Sequence, residues 1–164
     1  MPLRPMKLIN RDLITQLLQR AAASPRRRSN FNLHPALEDP VQRLLVAAKA
    51  DTYFRPHRHE IRWECALVIQ GRFDVYGFDD AGAVTAKVRL GLPGDAVGFE
   101  IPAGTWHTWV PVDDNGVFFE TKQGPYDPVN GTTFAPWSPP EGDDAVPGFL
   151  ECLRAAKVGD RLAP

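Results

Sequence analysis

One spacing constrains this chain more than any other. It reads His57-x-His59, four residues, Glu64, six residues, Gly71, and, well downstream, Pro102-x-Gly104-x-x-His107. Residues two apart on a strand share a face, so His57 and His59 point one way and Arg58 the other. Glu64 lies past an expected hairpin turn and returns to the histidine face. His107 comes from a distant strand that begins after the tight turn at Pro102-Ala103-Gly104. Three neutral imidazoles and one carboxylate make an N3O donor set at metal–ligand distances of about 2 Å. On a six-coordinate ion they leave two positions for water or substrate. The expectation is one divalent transition metal held between two β-hairpins. Iron, manganese, nickel, cobalt, zinc and copper all suit these donors.

The scaffold must then be rich in strands. Sixteen prolines and thirteen glycines in 164 residues favour many turns and short strands over long helices. Runs at Thr52–His57, Glu64–Val75, Thr85–Leu90, Val97–Ile101, Thr105–Val110 and Val117–Lys122 read as strands, and the apolar run Val41–Ala48, which suits either a helix or a buried strand, reads as strand on its length. Turn signals separate them at Asp79–Gly82, Leu92–Asp95 and Asp113–Gly116. An all-β sandwich or barrel follows. Residues 1–7, with two prolines, are expected to fray. A short amphipathic helix is expected from Asn10, its cap, to Ser24-Pro25, with Leu13, Leu17 and Ala21 on one stripe. A second short helix is expected over Pro147–Lys157. The reading is a single domain: an N-terminal extension and helix over 1–24, a barrel core over 25–125, and a proline-rich loop with a C-terminal helix over 126–164.

Composition excludes more than it assigns. Nineteen basic and twenty acidic side chains give a net charge of −1, so no global field recruits nucleic acid or an anionic membrane. No apolar run is long enough to span a bilayer, and the N-terminus, broken by Arg11 and Asp12, does not read as a signal peptide. Two cysteines are too few for a disulfide framework, and Cys65 reads as a buried reduced thiol. The expected compartment is the cytoplasm. Both faces of Glu64–Val75 are apolar. One lines the interior, and the N-terminal helix or a second subunit of a homodimer must cover the other.

Further residues have chemistry to offer. Glu120 sits in the apolar run Val117–Phe119 and is either half-buried near the metal or outward. Glu120 and Tyr53 are the acid/base candidates. Trp109 has the parity of His107 and lines either the cavity or the core. Arg55 has the parity of His57 and is either a contact for an anionic substrate or a supporting arginine. The run Arg26-Arg27-Arg28 is a solvated face or a carboxylate clamp. His34, far from both motifs, reads as structural.

The two histidine motifs resemble those of the cupins, with Ala96 where the usual second motif opens on glycine and Pro111 where it ends on asparagine. Neither is a ligand position. The resemblance implies a double-stranded β-helix, or jelly roll, with the metal inside the barrel. Flanking segments narrow it. Ser24-Pro25-Arg26, Asn30-Phe31-Asn32-Leu33-His34, Asp39–Leu45, Gly124-Pro125-Tyr126-Asp127-Pro128 and Phe134–Pro139 resemble the WbuC-type cupin-fold metalloproteins over residues 7–143. That resemblance implies a place near bacterial surface-polysaccharide synthesis and no settled reaction. The expected function is a metal-dependent isomerase or oxygenase acting on a small polar metabolite, a sugar or sugar-nucleotide derivative. The alternatives are a non-catalytic metal-containing sugar-binding or auxiliary protein and an iron-dependent dioxygenase.

Overall fold

A computed structural model describes residues 6–94 and 96–162. The expected fraying of residues 1–7 falls largely outside them, as does Asp95, the last residue of the expected Leu92–Asp95 turn. The elements run α1 (Arg11–Ala23), β1 (Arg28–Asn32), β2 (Val41–Ala48), β3 (His57–Arg58), β4 (Glu64–Gln70), β5 (Phe73–Phe78), β6 (Val84–Leu90), β7 (Gly98–Ile101), β8 (Trp106–Pro111), β9 (Gly116–Gln123), β10 (Thr133–Phe134) and α2 (Val146–Ala155). Two five-stranded antiparallel sheets form, β1-β2-β9-β4-β7 and β10-β3-β8-β5-β6. This is the expected jelly roll with a short helix toward each end.

Alternation sorts the side chains into three layers. Val46, Ala66, Phe73, Val75, Trp109 and Phe118 fill the space between the sheets. The opposite parity of β2 and β9 sends Leu45, Ala47 and Val117 outward onto Leu17 and Ala21 of α1. Asn10 caps α1 as expected, its side chain accepting from the Leu13 N–H at 3.0 Å. The outward residues of the second sheet, Tyr76, Phe78, Trp106 and Val110, pack with Leu150 and Leu153 of α2. Because α1 covers β1, β2 and β9, Leu67 and Ile69 on the outer face of β4 stay exposed. Cys65 shares that outer face and is half-buried rather than buried.

Two strand expectations are corrected. Glu64–Val75 is not one strand. Gly71, at φ +72°, turns the chain so that β4 belongs to the first sheet and β5 to the second. A Cβ there would also press on the Gly116 Cα at 3.1 Å. Thr52–Pro56 is irregular, and only His57–Arg58 pairs as strand. The arginine run resolves as the carboxylate clamp: Arg26 holds Glu141 at 2.7 and 2.9 Å and Arg28 at 2.5 Å, while Arg27 pairs with Asp51 at 3.0 Å.

Candidate metal centre

The four predicted ligands converge. His57 on β3 is the register partner of His107 on β8. His59 follows β3 directly, and Glu64 opens β4 in the facing sheet. The expected single hairpin carrying His57, His59 and Glu64 is therefore corrected. The segment after His59 crosses between the sheets, and the centre bridges them. One ligand atom from each residue lies within 4.8 Å of the others. Glu64 Oε2 stands 3.2 Å from His59 Nε2 and 3.8 Å from His107 Nε2. His59, Glu64 and His107 are buried, and His57 opens on a cavity.

Backbone carbonyls aim all three rings. Nδ1–H of His57 donates to the Arg55 carbonyl at 2.9 Å, that of His107 to Thr105 at 2.9 Å, and that of His59 to Gly131 at 2.6 Å. A carbonyl only accepts, so each Nδ1 carries the proton and each Nε2 offers its lone pair inward. Outer-shell bonds of this kind fix the tautomer and orientation of metal-binding histidines. Nε2 of His107 is buried without a hydrogen-bond partner. These donors fit a borderline transition ion.

The electrostatics keep His57 neutral and Glu64 ionised. Burial, and then the neighbouring His107, push His57 well below its usual pKa, toward the neutral imidazole a metal needs. Burial works against ionised Glu64, but His107, His59 and the nearby Lys122 outweigh it and hold the carboxyl well below its usual value. For His107, burial is outweighed by Glu64, and the pKa rises.

A cavity of about 300 Å3 opens beside the centre, lined by His57, Glu64, Trp109, Glu120 and Lys122 among others. Glu120 is thus inward, 7% exposed, with its pKa raised by burial and then by the Glu64 charge. Its Oε1 lies 2.6 Å from Lys122 Nζ in a salt bridge at the cavity wall. Trp109 both lines the cavity and serves the core, stacked on Phe118 with centroids 4.0 Å apart.

Two predicted site residues do not join the cavity. Tyr53 sits in the outer cluster under α2, its hydroxyl donating to the Pro139 carbonyl at 3.0 Å, and burial pushes its pKa up to about 12. Arg55 spends its guanidinium on Ser138 Oγ at 3.1 Å and the Ser138 carbonyl at 3.0 Å, and lies over the Phe134 ring. It supports the site through its own carbonyl, and its side chain reaches only a small adjacent cleft beside His57. The sequence reading missed Lys122, whose signal was its parity with Glu120. It also missed Arg28 and Asn30, which alternate toward the cavity along β1. His34 is structural in part: its Nδ1 lies 3.0 Å from both the N–H and the carbonyl of Arg43.

No curated protein matches this sequence. Among solved structures, an oxalate oxidase superposes with a TM-score of 0.54 at 18% identity, over 81% of this chain and 68% of that one. CapF, a capsular polysaccharide assembling protein of Staphylococcus aureus, gives 0.53 at 21% identity, over 68% of this chain and 32% of CapF. An oxalate decarboxylase of Bacillus subtilis gives 0.50 at 16% identity, over 65% of this chain and 27% of that one. At such identities the likeness is one of fold, and the fold is that of the cupins. Within the sequence, the model of a family described as Domain of unknown function (DUF6016) matches residues 9–90, half of the chain, including His57, His59 and Glu64. The chain belongs to the DUF6016 family, built on a cupin fold.

Proposed function

We propose that this protein holds one divalent transition metal on His57, His59, Glu64 and His107 and acts on a small polar metabolite in the adjoining cavity. The metabolite is a sugar or sugar-nucleotide derivative linked to surface polysaccharide synthesis, as the WbuC-type segments suggest. The observation that carries the metal reading is the anchoring of three Nδ1–H groups on backbone carbonyls, with three Nε2 atoms turned toward one carboxylate. A divalent ion, when bound, supplies Lewis acidity toward a carbonyl or hydroxyl oxygen, or redox chemistry if it is iron. The chain's own groups do the rest. The Trp109–Phe118 stack offers an apolar wall, Lys122 an ammonium donor, and the Glu120 carboxylate paired with it accepts or returns a proton.

A non-catalytic binder is the second reading. It is favoured by the position of Tyr53, whose hydroxyl donates to the Pro139 carbonyl outside the cavity, so that this acid/base candidate does not stand beside Glu120. One experiment separates the two. The protein is purified anaerobically, its metal is quantified, and sugar nucleotides and small sugar acids are screened for binding and turnover. About one equivalent of metal and turnover of one such compound are expected. Binding without conversion by the metal-loaded protein leaves the binder. Full metal content in a His57→Ala, His107→Ala double variant sinks the site.

A further inference from the structure

A polar row crosses the inner face of the first sheet. Glu64 on β4 is the register partner of Lys122 on β9, and Lys122 is the partner of Gln42 on β2. Beyond Gln42 the inward parity of β1 continues through Asn32 to His34. A second cavity of about 340 Å3 lies along this row, lined by Asn30, Asn32, His34, Gln42, Lys122 and Tyr126 among others. Lys122, Asn30 and Leu44 line both this cavity and the one beside the metal ligands, so the two are neighbours sharing one wall.

The first cavity holds the Glu120–Lys122 salt bridge, with Oε1 and Nζ 2.6 Å apart. The second holds a buried polar atom without a partner, Nε2 of His34, on a residue 6% exposed. A buried polar atom left unpaired destabilises the fold, and a ligand that pairs it recovers that loss. A hydroxyl both donates and accepts, so it serves the carboxylate and either tautomer of the imidazole. From Glu64 to Gln42 is two strand spacings, about 10 Å, and His34 lies further on. A single six-membered ring does not cover that span.

We infer that the ligand is an elongated, hydroxyl-rich saccharide that runs from the metal ligands past Lys122 to His34, and is therefore longer than one sugar ring. This rests on the reading that the metal cavity takes a sugar derivative, and names the rest of the molecule. The uncharged lining at the far end, with Asn32, Gln42 and Tyr126, suits hydroxyls rather than a second ion.

The test uses the metal-loaded full chain and a panel of hexoses, their disaccharides and UDP-glucose, with affinities from ligand-observed NMR. At least one disaccharide is expected to bind about tenfold or more tightly than its component hexoses. His34→Asn and, in case that variant misfolds, the half-exposed Tyr126→Phe should each reduce this gain, with metal content and hexose affinity unchanged. The inference is overturned if no disaccharide outbinds its hexoses, if the gain is confined to UDP-glucose, or if both variants keep it. The underlying reading fails differently: metal would then be absent from the purified wild-type protein, or its removal would leave hexose binding unaltered.

Discussion

His57 and His107 face each other across adjacent antiparallel strands, with ring centroids 4.4 Å apart. That pair belongs to one sheet, while Glu64 comes from the other. An ion shared among them would clasp the two sheets together.

Chelation should therefore destabilise the whole fold. A ligand at a thousandfold its dissociation constant contributes about 4 kcal/mol. For a chain of this length that is a loss of about 10 °C in melting temperature on metal removal. Differential scanning fluorimetry with and without chelator measures it, and His107→Ala should melt at the same temperature in both conditions.

Gly131 gives a prediction without touching a ligand. Its carbonyl accepts from His59 Nδ1 at 2.6 Å, and a Cβ on Gly131 would stand 2.3 Å from the Asp127 carbonyl. Gly131→Ala must shift that loop. Metal affinity should fall about 10- to 100-fold, the usual cost of a lost outer-shell partner, with the β-sheet circular dichroism unchanged. Competition against a chelator reads the affinity.

Glu120→Gln keeps the shape of the cavity wall and removes its proton acceptor. If the protein is an enzyme, turnover should fall about 10²- to 10⁴-fold while metal content stays at the wild-type level. Steady-state kinetics beside elemental analysis separates the two effects.

The clamp on Glu141 sets an acid limb. Burial works against this carboxylate, yet Arg26 and Arg28 outweigh it and hold its pKa below the ordinary value. A carboxyl lowered on folding stabilises the protein above its ordinary pKa, and the contribution disappears as pH falls through the lowered one. Glu141→Gln should cost about 1 kcal/mol at neutral pH. The gap to wild type in urea midpoint should close on acidification below pH ~4.

Much of this was legible in the residues. The convergence of His57, His59, Glu64 and His107, the Asn10 cap and the hairpin at Asp113–Gly116 were written in spacing, capping and turn chemistry. Other parts carried less signal. Gly71 belongs to the histidine motif, yet the spacing does not mark it as the end of a strand, and its left-handed turn sends Glu64 and Phe73 to different sheets. Arg55 was assigned by strand parity and Tyr53 by its nearness to the first motif, and neither holds because Thr52–Pro56 is irregular. Lys122 was passed over because a lysine near a strand end looks solvent-bound, and only register with Glu64 shows where it stands. The carbonyl of Gly131 could not have been found at all, since every residue supplies a carbonyl.

That carbonyl also sets an order of events during synthesis. The His57, His59 and Glu64 side chains leave the ribosome early, His107 some forty residues later, and the acceptor for His59 later still, at Gly131. A nascent chain has three donors long before it has a locked centre. Metal captured then would meet a His57 ring already aimed by the Arg55 carbonyl but a His59 ring still without its acceptor. Proteolytic nicking of the loop around residue 131 should accordingly empty the centre while leaving the barrel standing.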